Sequence, residues 1–309
     1  MAPSAYRGRF APTPSGPLHF GSLVAALASC LDARAHDGTW LVRIEDVDAP
    51  RVVPGAADDI LRTLEAHGFE WDGTVMRQSR RSEAYAAALE RLRALDLVYA
   101  CTCSRKRIAE HAHQGIDGPV YPRSCRLRRI GRTHASPSGA ALRLEVPNRR
   151  IVFIDREQGR VACNIAQECG DVGLRRADGV YAYHLAVTVD DAEQGITDIV
   201  RGADLLASTP RHILLQELLG FGMPHYRHLS VVLDTQGDKL SKQTQATPVD
   251  AKTPLPGLVD AAAFLGLPSA DAPGSLNAFW MWAIEAWKAR AARPIRGRLW
   301  QPGPNPCKS

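Results

Sequence analysis

No apolar run in this sequence reaches the roughly 20 residues that a helix needs to cross a bilayer, so no membrane span is expected. Met1 to Phe10 carries two arginines but neither an apolar core nor a small-residue cleavage site, and a signal peptide is not expected either. Internal repeats and low-complexity tracts are missing. Aromatic residues supply only 6% of the chain, yet hydrophobic residues reach 45% and charged residues 23%, which excludes a disordered protein. The seven cysteines are odd in number and scattered, unlike the disulfide framework of a small secreted domain. A reduced compartment, the cytoplasm, follows as the expectation. Acidic residues are outnumbered, 33 against 38 lysines and arginines, and the net charge of +5 is compatible with a polyanionic partner without requiring one.

At 309 residues the chain is long for a single domain, and one main domain with an insert or appendage is expected. Arg7 to Ala11 runs into a Pro-Thr-Pro-Ser-Gly turn, followed by a helix from Ser22 to His36. Gly38 then leads to a strand, Thr39 to Ile44, apolar on both faces. Strand, turn, helix, strand is a βαβ pattern. Asp58–His67 and Glu83–Leu95 read as amphipathic helices. Residues 100–135 form a poor core rich in arginine, with Cys101, Cys103 and Cys125 closely spaced, and read as an inserted metal knuckle. Ala140–Val146 and Ile151–Ile154 alternate as strands. Tyr181–Asp190 reads as a buried strand and Ile199 as the start of the next turn. Thr209 is the expected N-cap of a helix with Pro210 at its first position, ending at Gly220. Leu229–Leu233 reads as a strand, Thr253–Gly257 as a Pro-rich linker, and Leu276–Ala292 as a last helix with Trp280, Ile284 and Trp287 on one face. Cys163 and Cys169 are expected on a helix as unpaired thiols.

Two loops carry candidate chemistry. Pro14-Ser15-Gly16-Pro17-Leu18-His19-Phe20-Gly21-Ser22 joins a strand to a helix, where small residues let backbone approach a phosphate and the helix N-terminus offers free N–H groups. His19 could meet charge developing on a transferring phosphate. Alone, the loop also reads as an ordinary turn with a surface histidine. Asp238-Lys239-Leu240-Ser241-Lys242 could clamp a triphosphate with two point charges; alone, it reads as a charged surface turn.

Together the two loops resemble the two signatures of the class I glutamyl-tRNA synthetases. Between them, Arg43-Ile44-Glu45-Asp46-Val47-Asp48 and the stretches Val189–Thr197 and Arg201–Asp204 resemble further family motifs, in the family's order, over residues 7–243. Within that group the sequence is most similar to the truncated branch that glutamylates queuosine in tRNA(Asp). Pro17, the Phe20-Gly21-Ser22 variant, the Cys101-Thr102-Cys103 and Tyr121-Pro122-Arg123-Ser124-Cys125 pattern, and the mere sixty or so residues after Lys242 carry this narrower resemblance.

The resemblance implies an α/β fold. Its doubly wound parallel-sheet catalytic domain would be split between 1–99 and 136–250, with a zinc-binding insert at 100–135. A short helical segment at 251–309 would stand in place of an anticodon-binding domain. It implies ATP bound by Pro14, Ser15, Gly16, His19, Gly21, Ser22, Lys239, Ser241 and Lys242, with Mg²⁺ on its phosphates and His19 and Lys242 as catalytic groups. Ser22 departs from the wider family, which more often has a second histidine there. L-glutamate would be held by Arg9, Phe10, Ala11, Pro12, Thr13, Glu45, Tyr183 and Arg201: arginine forks for the carboxylates, Glu45 for the ammonium, the Tyr183 hydroxyl closing the pocket. One structural zinc would take Cys101, Cys103, Cys125 and, less usually, Tyr121; three reduced thiols, or a site completed by His111 or His113, remain alternatives. Arg123, Arg126, Arg128, Arg129 and Arg132 form the densest basic patch, either an RNA contact or a solvated loop face. The partners implied are ATP, glutamate and queuosine-containing tRNA(Asp), with no membrane, and the chain is expected to be a monomer.

Overall fold

The computed structural model describes residues 5–127, 139–232, 248–268 and 274–291. The βαβ unit forms as expected: β1 (Arg7–Phe10), α1 (Phe20–Ala35) and β2 (Thr39–Ile44), with β1 and β2 parallel and Arg9 opposite Leu41. α1 buries Leu23, Leu27 and Leu31, one stripe at helical spacing. Its exit needs Gly38, because a Cβ there would lie 2.6 Å from the Tyr6 carbonyl oxygen. α2 (Ala56–Ala66) leads to β3 (Met76–Arg77), which extends the parallel sheet beyond β2, and α3 (Ser82–Ala94) follows.

The insert begins at β4 (Val98–Cys101) and continues through α4 (Arg105–His111), the hairpin β5 (His113–Gly115) and β6 (Gly118–Val120), and α5 (Ser124–Leu127). β7 (Ala141–Leu144) pairs antiparallel with β4, then come β8 (Arg150–Asp155), β9 (Gly159–Asn164) and β10 (Val172–Arg175). The second half is α6 (Tyr183–Glu193), β11 (Asp198–Gly202), α7 (Thr209–Leu219) and β12 (His225–Leu229), with β11, β12 and β8 parallel. The two halves meet where the Thr197 N–H donates to the Arg7 carbonyl at 3.0 Å, at the edge where β1 lies along β11.

Several expectations are corrected. Tyr181–Asp190 is not a strand; its apolar run is α6, buried nearly all round from Leu185 to Asp191, and a helix buried on every side has no polar face to reveal its period. Ile199 lies inside β11 rather than starting a turn. The strand expected at Leu229–Leu233 lies earlier, as β12, because its buried Arg227 and His228 disguise it: Arg227 pairs with Asp32 and His228 with Asp155. Ser208, not Thr209, holds the position before α7, and the Thr209 hydroxyl is engaged elsewhere. Gly220 ends that helix in the left-handed conformation, φ +66°, as glycine readily does. Cys163 sits on β9 rather than on a helix, while Cys169 ends the single helical turn Ile165–Cys169 that follows; both are unpaired thiols as expected, their sulfurs 3.4 Å apart.

The expected linker at Thr253 starts a helix, α8 (Pro254–Phe264), with Pro254 at its first position. α9 (Leu276–Ala291) buries Phe279, Ala283 and Trp287, with Trp280 and Ile284 only partly covered. Both helices share one core with α1, so they complete the first half-domain rather than trailing from it. Asp32 on α1 fixes that packing, accepting from Tyr6 at 2.6 Å, Trp287 at 2.9 Å and Arg227 at 3.0 Å. No helix among the described residues is long and apolar enough to cross a membrane.

Candidate active site

A cavity of about 310 Å³ opens at the carboxyl ends of β1, β2, β11 and β12, where ligands bind in open parallel sheets. All eight residues expected to hold glutamate line it: Arg9 and Phe10 at the end of β1, Ala11 to Thr13 after it, Glu45 after β2, Tyr183 at the start of α6 and Arg201 on β11. Of the proposed ATP set, Ser15, His19, Gly21 and Ser22 line it too. Pro14 and Gly16 shape the turn behind, Pro14 through its carbonyl bond to the Val53 N–H and Gly16 through a φ of +141°. Lys239, Ser241 and Lys242 lie outside the described residues. Their flanks bracket the cavity: Val231 and Val232 line it, and Pro248 pairs with His19 in an isolated bridge.

His19 is the N-cap of α1, in extended conformation, with Nδ1 accepting from the Ser22 N–H at 3.3 Å. The Ser22 hydroxyl lies 3.0 Å from Nε2 of the same ring. Serine at this position thus holds the one imidazole in place, at the positive end of a 16-residue helix.

The charges around the cavity fall into two groups. Arg9 and Arg43 share Asp191, at 3.0 and 2.8 Å, and Arg43 also reaches Glu45 at 3.3 Å. Arg201 differs. The buried arginines 9, 43, 211 and 227 each face a carboxylate, whereas the contacts of Arg201 among the described residues are all neutral. Its Nε donates to His228 Nε2 at 3.0 Å, and its Nη2 lies 2.9 Å from Thr209 Oγ1 and 3.3 Å from His212 Nδ1. Its Nη1 has no partner among the described residues. Burial and the nearby guanidinium push His228 down to about 4 and His212 well below its ordinary value, so both rings stay neutral. His228 Nδ1 donates to Asp155 at 2.6 Å; burial would raise that carboxyl, but this bond and the backbone N–H groups of Glu157 and Gln158 hold it below the usual range. A chain from Asp155 through His228 therefore fixes the guanidinium without neutralising it.

Glu45 shows the opposite condition. Burial lifts its carboxyl above the ordinary value in spite of Arg43 and Arg9, so its negative charge is under-solvated there. The Tyr183 hydroxyl, pushed up to about 12 by burial and by Glu45, stays protonated and able to donate. One end of the cavity thus wants an anion and another wants a cation.

The cysteine cluster is a second site. Cys101, Cys103 and Cys125 bring their sulfurs within 4.8 Å of one another and could hold a metal ion. The Tyr121 hydroxyl converges on the same point, 3.3 Å from Cys101 Sγ and 3.8 Å from Cys103 Sγ. His111 and His113 do not join it; their rings bond the carbonyls of Arg107 and Gln167. Arg123 and Arg126 of the basic patch are drawn inward to Asp171, Arg126 also to Glu145, and Arg128, Arg129 and Arg132 lie outside the described residues.

Residues 5–254 match the family model "tRNA synthetases class I (E and Q), catalytic domain". The glutamyl-Q tRNA(Asp) synthetase of Dechloromonas aromatica is 57% identical over 92% of this chain and 94% of its own length. That of Chromobacterium violaceum is 53% identical over 93% and 95%. This chain belongs to the glutamyl-Q tRNA(Asp) synthetases. It is a ligase of the class I aminoacyl-tRNA synthetase type. Among solved structures, a glutamate tRNA ligase from Elizabethkingia meningosepticum in complex with its amino acid superposes with a TM-score of 0.66 at 29% identity, covering 78% of this chain. The chain spans about half, 52%, of that ligase. A methionyl-tRNA synthetase from Mycobacterium tuberculosis, 13% identical with a TM-score of 0.55 over 84% of this chain and 64% of its own, shares the fold.

In this synthetase the buried charge of Glu45 has a measurable consequence. A carboxyl raised in the folded state favours folding below its unfolded value, and that favour is lost as pH rises through the folded value. Glu45→Gln removes the cost of the charge and is expected to melt at higher temperature than the parent at pH 7. Below about pH 4, where both side chains are neutral, the gain disappears. Thermal melts at the two pH values check this, and a parent-like melting temperature at pH 7 contradicts it.

Proposed function

We propose that the enzyme joins L-glutamate to ATP, releasing pyrophosphate, and passes the glutamyl group from the adenylate to queuosine in the anticodon of tRNA(Asp). The observation that carries this reading is Arg201: a buried guanidinium with only neutral contacts among the described residues, in one cavity with an under-solvated Glu45. Glutamate is complementary to that pair. Its carboxylates match Arg201 and Arg9, and its ammonium matches Glu45. Phe10 to Thr13 and Tyr183 shape the pocket.

Activation brings an anionic carboxylate to an anionic phosphate, so the work is orientation and charge neutralisation. His19 and the N-terminus of α1 face the phosphates, with Ser15, Gly21 and Ser22 allowing close approach. Lys239, Ser241 and Lys242 fall between two segments that border the cavity, and Lys242 supplies charge to the transition state. Mg²⁺ bound with ATP offsets part of the triphosphate charge.

The metal of the cysteine cluster is zinc in this reading. Thiolates about 2.3 Å from a tetrahedral zinc stand roughly 3.8 Å apart, close to the spacing of these sulfurs. Tyr121 is its fourth ligand, and the role is structural, since none of the four lines the cavity. Free thiols throughout the described cysteines accord with a cytoplasmic location.

The acceptor assay separates this function from its nearest rival. Labelled glutamate is expected on tRNA(Asp) carrying queuosine, to be absent without queuosine, and to remain after nuclease removal of the 3′-terminal adenosine. Label on tRNA(Glu), lost on trimming, would instead mark an ordinary synthetase that charges the 3′ end.

A further inference from the structure

A second cavity of about 160 Å³ adjoins the first and shares with it only Thr13, Glu45 and Tyr183. Neither Arg9 nor Arg201 borders it. Those shared residues fix which end of a bound glutamate it meets. Glu45 receives the ammonium, and the ammonium carbon is bonded directly to the carboxyl that becomes activated. The second cavity therefore opens on the activated carbonyl and away from the carboxylate held by Arg201.

Its walls suit a neutral, hydroxylated ligand. Asp48 lies at the wall with both carboxylate oxygens engaged once, by Arg51 at 2.6 Å and Arg176 at 2.7 Å, and each retains a lone pair for a further donor. Gln78 is fully buried and lines the same cavity; its Nε2 donates to Asp190 at 2.8 Å, while its Oε1 has no partner among the described residues. A buried carbonyl oxygen without a donor is costly unless a ligand supplies one. Val47, Val180, Ala182 and the Tyr181 ring give much of the apolar wall.

We propose that this cavity is the acceptor subsite, which takes the hydroxyl-bearing ring of the modified nucleoside and points one hydroxyl at the glutamyl carbonyl. The inference rests on the function proposed above. In the transfer step the hydroxyl oxygen bonds to the carbonyl carbon, the bond from that carbon to the AMP phosphate oxygen breaks, and AMP leaves with the electron pair. The hydroxyl proton passes to solvent. Asp48 and Gln78 accept from the ring hydroxyls and hold their oxygens on line, acting on position and leaving activation untouched.

The test uses the full-length enzyme and two readouts, ATP–pyrophosphate exchange without tRNA and single-turnover transfer from preformed adenylate to queuosine-containing tRNA(Asp). Val180→Trp fills the cavity from its rim and is expected to lower transfer about 100-fold with exchange within twofold of the parent. Asp48→Asn, which keeps the shape, is expected to slow transfer about tenfold. Parent-like transfer in both variants overturns the subsite. So does an equal fall of exchange and transfer in Val180→Trp, which would make the cavity part of the activation site. Parent enzyme that labels tRNA(Asp) lacking queuosine refutes the function instead, and the variants need not be made to see it.

Discussion

Arg201→Met lowers glutamate-dependent ATP–pyrophosphate exchange at subsaturating glutamate by about three orders of magnitude, and most of the loss appears in KM. Two charge-assisted hydrogen bonds from guanidinium to carboxylate are together worth about 4 kcal/mol, and each 1.4 kcal/mol is about tenfold. Methionine keeps much of the length and removes the charge, so packing alone cannot mimic the effect. Arg201→Lys is expected to recover only a small part. An ammonium cannot donate at once to His228, Thr209 and a substrate carboxylate in the fixed fork that the arginine presents. Steady-state exchange against glutamate concentration measures both. An unchanged KM in Arg201→Met would mean that the substrate carboxylate sits elsewhere.

Arg201 also marks how far the sequence can be read. The loops around His19 and Glu45 are continuous in sequence, and their residues stand together because each follows a neighbouring strand of one parallel sheet. What fixes Arg201 is not continuous. Asp155 and His228 are 73 residues apart, and β12 reads as polar because its buried arginine and histidine are satisfied only by partners far along the chain. No local pattern announces such a pair. The clearest hint was the oddity of a His-Tyr-Arg-His run just before an apolar stretch.

Periodicity failed for a related reason at α6. Tyr183, expected in the pocket by resemblance, lines the cavity from a helix rather than from the expected strand, since a helix wrapped by β10, α3 and α7 offers no polar stripe. The neutral, depressed histidines and the burden on Glu45 are likewise products of burial, which composition and spacing do not contain. Pro254 misled in the opposite sense: a proline pair taken for a linker opens a helix, because proline lacks only an N–H that the first turn would leave unbonded.

Removing the metal from the cysteine cluster is expected to loosen the insert and leave the parallel sheet folded. Among the described residues the buried apolar cluster there holds only Tyr99, Cys101, Tyr121 and Cys125, too little to order the segment by packing. Its sulfurs come from the end of β4, the loop after it and α5, so a bound metal would close the chain on itself; in small zinc peptides such closure contributes about 10–16 kcal/mol. Protein purified without chelators should contain one zinc per chain, and Cys103→Ser should lose it. Amide hydrogen exchange should then accelerate from Val98 to Leu127 while β1, β2 and β11 stay protected. The effect reaches the active site only by a narrow route. Asp117 in the β5–β6 turn pairs with Arg211 on α7 at 2.6 Å, and the next residue, His212, touches Arg201. A rise of about tenfold or less in KM for glutamate is the expected consequence, far below that of Arg201→Met. Protein without zinc and unchanged exchange in Cys103→Ser would both contradict this account. Tyr121→Phe is a finer probe: full retention of metal would remove only the tyrosine from the ligand set, leaving its hydroxyl as the acceptor for the Cys125 N–H at 3.0 Å.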